Sequence, residues 1–234
     1  MIDLSRRREW TEWMDEGGFG YEAFVSCLRD LERANVLSLG YRPTLRWLDR
    51  LRDRHRPQRL RILDVGCGHG DALRRVAAWA ARRGVAAELV GVDMNPLVIR
   101  AAEAATPSGL PIRYVVADVF DYAEGQAFDV ILSALFTHHL DDAALARFVG
   151  WMDRHAGLGW FINDLHRHPL PYYALKLIMP ALRLDRMVCH DGPISVARAF
   201  RRADWQRALA GRTDPAPAEI RWHFPFRWGV GAIR

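Results

Sequence analysis

The chain predicts an α/β fold in which helices cover both faces of a doubly wound, parallel sheet. Two features of the sequence point there. Short apolar runs alternate with stretches of helical period from about residue 60 to residue 163, and such alternation gives parallel strands joined by right-handed crossovers. One of the runs continues as Ile62-Leu63-Asp64-Val65-Gly66-Cys67-Gly68-His69-Gly70-Asp71, a strand turning through three glycines into a helix. A turn of this kind lets a ligand approach the backbone at the carboxyl end of the sheet.

Two amphipathic helices, at about 21–37 and 42–55, precede the first strand. The second contains Leu45-Arg46-Trp47-Leu48-Asp49-Arg50-Leu51-Arg52-Asp53-Arg54, where the arginines and acids form a solvated face. A strand at 60–65 leads into the glycine turn, and a helix follows at 71–83. The next strand, 87–92, closes on Asp93. Met94-Asn95-Pro96 then opens a helix over 96–105, with Pro in the first turn, where no N–H is needed. Strands at 112–117 and 128–134 come next, followed by a helix at 141–154 and a strand at 158–163. A last helix at about 196–210 precedes Glu219-Ile220-Arg221-Trp222-His223 and Phe226-Arg227-Trp228-Gly229-Val230, two short strands broken by Pro225 that read as a hairpin. Residues 164–194 are too many for a plain connection. They include Pro171-Tyr172-Tyr173-Ala174-Leu175-Lys176-Leu177-Ile178-Met179-Pro180-Ala181-Leu182, apolar almost all round, and a helix with so little polar surface has to be covered. It is expected to pack on the N-terminal helices, to close as a lid over an apolar ligand, or to do both with its two faces. The division that follows is an N-terminal helical cap at 1–58 and a core at 59–234, with a lid insertion at 164–194.

With 234 residues and 50% hydrophobic content, the chain can bury one full core. Met1-Ile2-Asp3-Leu4, followed by Arg6, Arg7 and Arg8, lacks the apolar centre of a secretion signal, and no later run approaches a membrane span. A cytoplasmic location is expected. Cys27, Cys67 and Cys189 are scattered and odd in number, which argues against a disulfide framework or a cysteine zinc site. The formal charge of +5 and the pI near 9.5 raise nucleic acid as a partner. Against it, the arginines are interleaved with Asp and Glu along the predicted helices, and no basic block with interleaved aromatics marks a strand-tracking groove. Nothing in the sequence specifies an oligomer.

The acid inside the glycine motif narrows the ligand. Asp64 stands two places before Gly66, and the glycines follow GxGxG where a dinucleotide site has GxGxxG. A carboxylate there would repel a pyrophosphate. S-adenosylmethionine carries an ammonium and a sulfonium and no phosphate, so it is the cofactor that Asp64 favours. Asp93 lies about 23 residues beyond Gly70, where a βαβ unit places the acid that takes a ribose diol. Its two acceptor oxygens match two hydroxyl donors. Asp118 closes the third strand in Tyr114-Val115-Val116-Ala117-Asp118-Val119. One acid at a strand end is commonly a helix cap; three in order, Asp64, Asp93 and Asp118, are not explained by capping alone.

On these residues, from about residue 60 to its end, the sequence resembles the class I S-adenosylmethionine-dependent methyltransferases. The resemblance implies their Rossmann-like fold, a seven-stranded sheet that is mostly parallel, with one antiparallel strand inserted beside the fifth and supplied here by the hairpin. It also implies residue roles. Gly66, Cys67 and Gly68 would skirt the methionine part of the cofactor, with Asp64 answering its amino group. Asp93 would hold the ribose hydroxyls, and Met94 would lie against the adenine. Asp118 would accept from the adenine amino group while the Val119 backbone meets the ring edge. Ser133 to Leu135 would line the floor where the methyl group departs.

Methyl transfer to a hydroxyl calls for in-line placement and a base, a role that imidazole fills near neutral pH. His138 and His139 follow the fourth strand, and Asp164, His166 and His168 follow the fifth. Proximity to Ser133–Leu135 ranks His138 first as the base, then His166, then His139. Adjacent side chains point apart, so only one of His138 and His139 is expected to face the acceptor. No metal is expected. Asp164, His166 and His168 would share a face on an extended segment, but Arg167 and Pro169 interrupt it. The predicted function is methyl transfer from S-adenosylmethionine to a small apolar or aromatic acceptor of secondary or quinone metabolism, at oxygen in preference to carbon or nitrogen. A noncatalytic S-adenosylmethionine-binding protein of the same fold is the alternative.

Overall fold

In the computed structural model, which describes residues 2–16, 18–122, 126–214 and 216–234, the apolar runs become strands of a single sheet. Helices α1 (Trp13–Glu16), α2 (Tyr21–Leu37) and α3 (Arg42–His55) come first. The alternating part follows as β1 (Arg59–Val65), α4 (Asp71–Arg83), β2 (Ala86–Asp93), α5 (Pro96–Ala105), β3 (Ile112–Val116), α6 (Val119–Tyr122), β4 (Phe128–Ala134), a 3-10 turn (Thr137–His139), α7 (Asp142–His155) and β5 (Ala156–Leu165). Helices α8 (Pro169–Ala181), α9 (Arg186–Arg198) and α10 (Arg202–Ala210) lead to β6 (Ala218–His223) and β7 (Arg227–Ile233). The strand order is β3-β2-β1-β4-β5-β7-β6. Strands β1 to β5 are parallel, and β7 lies antiparallel between β5 and β6. This is the expected seven-stranded sheet, closed by the hairpin.

Alternation along the strands splits the core into two layers. Leu63, Val65, Val92, Ile131 and Ile162 face α7 and α10 through Phe148, Met152 and Trp205. Leu60, Ile62, Leu89, Leu132 and Phe161 face Trp47 and Leu51 of α3, Leu73 and Val76 of α4, and Ile99 of α5. Each such side chain, fully buried, contributes about 1.5–3 kcal/mol. Because α3 belongs to this second layer, a boundary at residue 58 would cut it from the strands it covers. Helix α2 instead packs on α5 and α9.

The 164–194 stretch holds α8 and most of α9. Met179, Met187 and Val188 cluster with Cys27 of α2 and with Trp13 and Met14 of α1, so these helices do pack on the N-terminal ones. The single helix expected at 196–210 is two. Helix α9 ends at Arg198, Ala199 is extended, and Phe200 bridges His166. Buried Arg167 accounts for the break. Its guanidinium donates to the Ala199 carbonyl at 2.6 Å and pairs at 3.1 Å with Asp204, in the first turn of α10. In a continuous helix that carbonyl would be committed to an amide one turn on. Among the described residues no helix is long and apolar enough to cross a membrane.

Candidate active site

The carboxyl ends of β1 to β5 open on one cavity of about 1190 Å³, roofed by α8 and α9 and walled on one side by α2 and α3. The glycine turn forms its base. Gly66 and Gly68 have φ values of +67° and +52°, a left-handed region that side chains resist. A Cβ on Gly66 would meet the Phe136 ring at 2.7 Å, whereas one on Gly68 would enter open space. The amides of the turn are committed internally. Gly66 and Cys67 donate to the Val92 carbonyl at 2.9 and 3.1 Å, Gly70 donates to the Cys67 carbonyl at 2.9 Å, and Gly68 donates to the Asp93 carboxylate at 3.2 Å. None of these four is left for an anion. Two N-terminal helices hold the turn from outside: Glu32 of α2 accepts from Arg74 at 2.7 Å and lies 3.1 Å from His69 Nδ1. Just before α3, the Tyr41 hydroxyl donates to Asp71.

Asp64 lies beneath the turn, 2% exposed. Among the described residues nothing donates a hydrogen bond to its carboxylate; burial first, and then the charges of Asp71 and Asp93, push its pKa up to about 8. Asp93 accepts the Gly68 amide on one oxygen and the Asn95 amide, at 3.0 Å, on the other. Burial raises its pKa, and those amides oppose the rise. Met94 is 70% exposed at the rim, an apolar surface facing the cavity. Asp118 accepts from the Phe120 amide at 2.9 Å, next to buried Val119. Asp64, Gly66, Cys67, Gly68, Asp93, Met94, Asp118 and Val119 therefore line one cavity. Ser133 does not. It is buried, and its hydroxyl donates to the Val65 carbonyl at 3.0 Å, latching β4 to β1, while Ala134 and Leu135 take the lining positions.

The opposite end is built around β5. Asp164 is fully buried and accepts from the Thr137 hydroxyl, the His138 amide at 3.1 Å, the Leu165 amide at 2.7 Å and His138 Nδ1 at 2.8 Å. Burial works to raise its pKa, but the His138 charge and these hydrogen bonds outweigh it and hold it at about 2. An ionised Asp164 only accepts, so Nδ1 of His138 carries a proton, and Nε2 is the nitrogen available to a base or ligand role when the ring is neutral. His139 repeats the arrangement, with Nδ1 3.1 Å from Asp15. Burial opposes the ionisation of Asp15, and hydrogen bonds from His139 and Arg198 overcome it, leaving its pKa at about 2. Both histidines line the cavity, contrary to the expectation that only one would. The 3-10 turn brings their rings to 4.4 Å instead of sending them apart.

His166 lies elsewhere. Strand alternation puts Leu165 on the cavity wall, while His166 accepts from the Trp222 indole at 3.3 Å and packs against Phe226 and Trp228. Burial, then His168, Arg201 and Arg167, lower its pKa to about 4. As the second-ranked base it is misplaced. Asp164, His166 and His168 do not converge either, because Asp164 serves His138 and His168 caps α8 by accepting from the Leu170 amide at 3.1 Å.

Glu12 had no signal in the sequence. A four-residue helix shows no period, and the position of this side chain depends on contacts from the far end of the chain. Asp191 of α9 accepts the Trp13 and Met14 amides at 2.9 and 3.1 Å. The Ser195 hydroxyl then donates to Glu12 at 3.0 Å, Arg198 stands 3.7 Å away, and the Nε2 atoms of His138 and His139 lie at 3.7 and 3.9 Å. Burial raises Glu12 to about 7 against the pull of His139, Arg198 and Ser195.

Residues 62–157 match the family model described as a methyltransferase domain. No curated protein matches the chain. Among solved structures, the plantazolicin methyltransferase BpumL in complex with SAH is similar at 12% identity and a TM-score of 0.66, over 92% of this chain and 95% of that one. The magnesium protoporphyrin IX methyltransferase (ChlM) from Synechocystis PCC 6803 with bound SAM is similar at 15% and 0.53, over 84% and 79%. Human N-acetylserotonin methyltransferase in complex with SAM gives 14% and 0.62, over 92% and 56%. At these identities the likeness is one of fold.

Proposed function

We propose that this chain, which carries a methyltransferase domain over residues 62–157, transfers the methyl group of S-adenosylmethionine to the oxygen of a small apolar or aromatic acceptor. Asp64 carries the reading. A buried carboxylate with no donor, under a glycine turn whose amides are committed elsewhere, suits a cation and repels a phosphate. Asp64 would hold the cofactor's ammonium, Asp93 its ribose diol, and Met94 with the Asp118–Val119 edge its adenine. The fold shared with methyltransferases solved with SAM or SAH supports the cofactor. Leu165, Leu170, Leu175, Met179 and Val196 give the acceptor end apolar walls, with α1 and α2 as a cap and α8 and α9 as a lid. In the reaction an acceptor oxygen attacks the methyl carbon in line. The C–S bond breaks with its electron pair passing to sulfur, and the acceptor's proton goes to Nε2 of His138.

Methyl-labelled S-adenosylmethionine, incubated with a panel of phenolic and other apolar acceptors, tests the reading by label recovered in a product. Cofactor binding without transfer to any member would favour a noncatalytic binding protein. No binding at all would end the assignment. Gly68→Val places a branched side chain at a left-handed φ in the space assigned to the cofactor, so the folded variant is expected to lose S-adenosylhomocysteine binding. Normal calorimetric affinity in that variant would remove the turn as cradle.

The raised pKa of Asp64 has a sign that can be checked. Only the carboxylate attracts an ammonium, so below about pH 8 binding must displace a proton, and affinity should climb as pH rises toward 8. A folded-state acid whose pKa lies above the unfolded value of about 3.9 also makes the cofactor-free protein less stable as pH rises through that window. Calorimetry at pH 6.5 in buffers of different ionisation enthalpy reads the released proton directly; a heat independent of buffer would contradict the role of Asp64.

A further inference from the structure

We infer that Glu12, His138 and His139 form a binding site for one divalent transition-metal ion, with zinc the best chemical match. The Glu12 carboxylate and the two imidazole nitrogens all lie within 4.8 Å of one another. At 3.7 and 3.9 Å, the Glu12 to Nε2 separations are too long for hydrogen bonds. They are close to the edge of a tetrahedron around zinc, about 3.3 Å for bonds of 2.0–2.1 Å. The two separations involve different oxygens of Glu12, Oε1 toward His138 and Oε2 toward His139, so the set closes with both oxygens on the ion or with a contraction of up to about 1.5 Å across its widest pair.

The surroundings are those of metal ligands. Each imidazole gives its Nδ1 hydrogen to a carboxylate, His138 to Asp164 at 2.8 Å and His139 to Asp15 at 3.1 Å. This arrangement fixes the tautomer and aims Nε2 at an ion. Charge agrees. Glu12, Asp15 and Asp164 face two guanidiniums, Arg198 at 3.7 Å from Glu12 and 2.9 Å from Asp15 and the buried Arg227 interacting with Asp164, so carboxylates outnumber guanidiniums where the cation would sit. Two nitrogens and one carboxylate favour zinc and its neighbours over magnesium or calcium. Since all three residues line the cavity, the fourth position is open to it, where water or an acceptor oxygen would complete the tetrahedron. The ligands come from opposite ends of a tertiary contact, so no single stretch of the sequence carries the set.

The site stands apart from the cofactor assignment. With an ion bound, Nε2 of His138 is a ligand and no longer takes the acceptor's proton, so the ion and the base exclude each other at that atom. The test uses the full chain, stripped with a chelator and dialysed against Zn²⁺, with metal per chain measured by mass spectrometry. One Zn²⁺ per chain is expected, lost in Glu12→Gln and His139→Ala and kept in His155→Ala. Asp15→Asn should weaken binding by about 10- to 100-fold. Cobalt loading of the unaltered protein, which needs no variant, should give the intense visible bands of a four-coordinate ion, bleached by zinc. Absence of stoichiometric zinc and of those bands would overturn the site and leave a hydrogen-bonded network. So would zinc binding undiminished in both ligand variants. S-adenosylhomocysteine calorimetry on the same samples confirms folding and keeps the two readings apart: cofactor binding without metal refutes the ion alone, and metal without cofactor refutes the cofactor assignment alone.

Discussion

Asp93→Ala is expected to weaken S-adenosylhomocysteine binding by about 2–4 kcal/mol, roughly 30- to 700-fold. Two charge-assisted hydrogen bonds to the ribose account for that range. The structure adds a second contribution, because the same carboxylate holds the Gly68 and Asn95 amides and so ties the glycine turn to the start of α5. Asp93→Asn retains one acceptor oxygen and most of the shape, so its loss should be smaller. Titration calorimetry measures both variants. Unchanged affinity in Asp93→Ala would show that the ribose lies elsewhere.

For His138→Ala, turnover should fall by about 100-fold or more with cofactor affinity nearly intact. The polar side-chain contacts of His138 are with Asp164 and Glu12 and not with Asp64 or Asp93, so binding and chemistry should separate. The loss is expected whether Nε2 takes a proton or holds an ion, since either role ends with the ring. Asp164→Asn should lower turnover as well, because an amide that can donate no longer fixes the Nδ1 tautomer. Steady-state kinetics alongside calorimetry reads the separation. Normal turnover in His138→Ala, with impairment in His166→Ala, would move the chemistry to His166, which packs against Phe226 and Trp222 and does not itself line the cavity described above.

The grouping of Asp64, the glycines, Asp93 and Asp118 around one cavity was legible because its signals are local. Asp64 and the glycines sit within one strand and its turn, and Asp93 and Asp118 sit where strands stop, so strand alternation and βα geometry were enough to group them. The acceptor end was not, because its geometry depends on register and on distant contacts. Ser133 and His166 each sit one position away from a lining residue, Ala134 and Leu165, and a period of two sends such neighbours to opposite sides. Arg167 read as an interruption, and only its reach to Ala199 and Asp204 shows that it ends α9 and starts α10. The apolar character of α8 is plain in the sequence, whereas its partners on α1 and α2 are fixed only by the tertiary fold. Glu12 could not be found from a stretch whose conformation is set by Asp191 and Ser195.

That last attachment bears on the order in which the molecule assembles. The first residues of the chain are fastened to its final third: Arg7 donates to the Arg198 carbonyl at 2.8 Å, the Arg8 amide to Ala197 at 3.1 Å, and the Trp13 amide to Asp191, 178 positions away. Contacts of such separation carry the loop-closure penalty of the whole intervening chain unless the sheet has already formed. Residues 7–14 are therefore expected to dock after the sheet has formed. Pulse-labelled amide exchange during refolding should protect β1 and β4 before Trp13 and Met14. Simultaneous protection would point to a single concerted step. Cofactor binding, which needs the glycine turn, should return ahead of turnover, which waits for Glu12 to arrive beside His138.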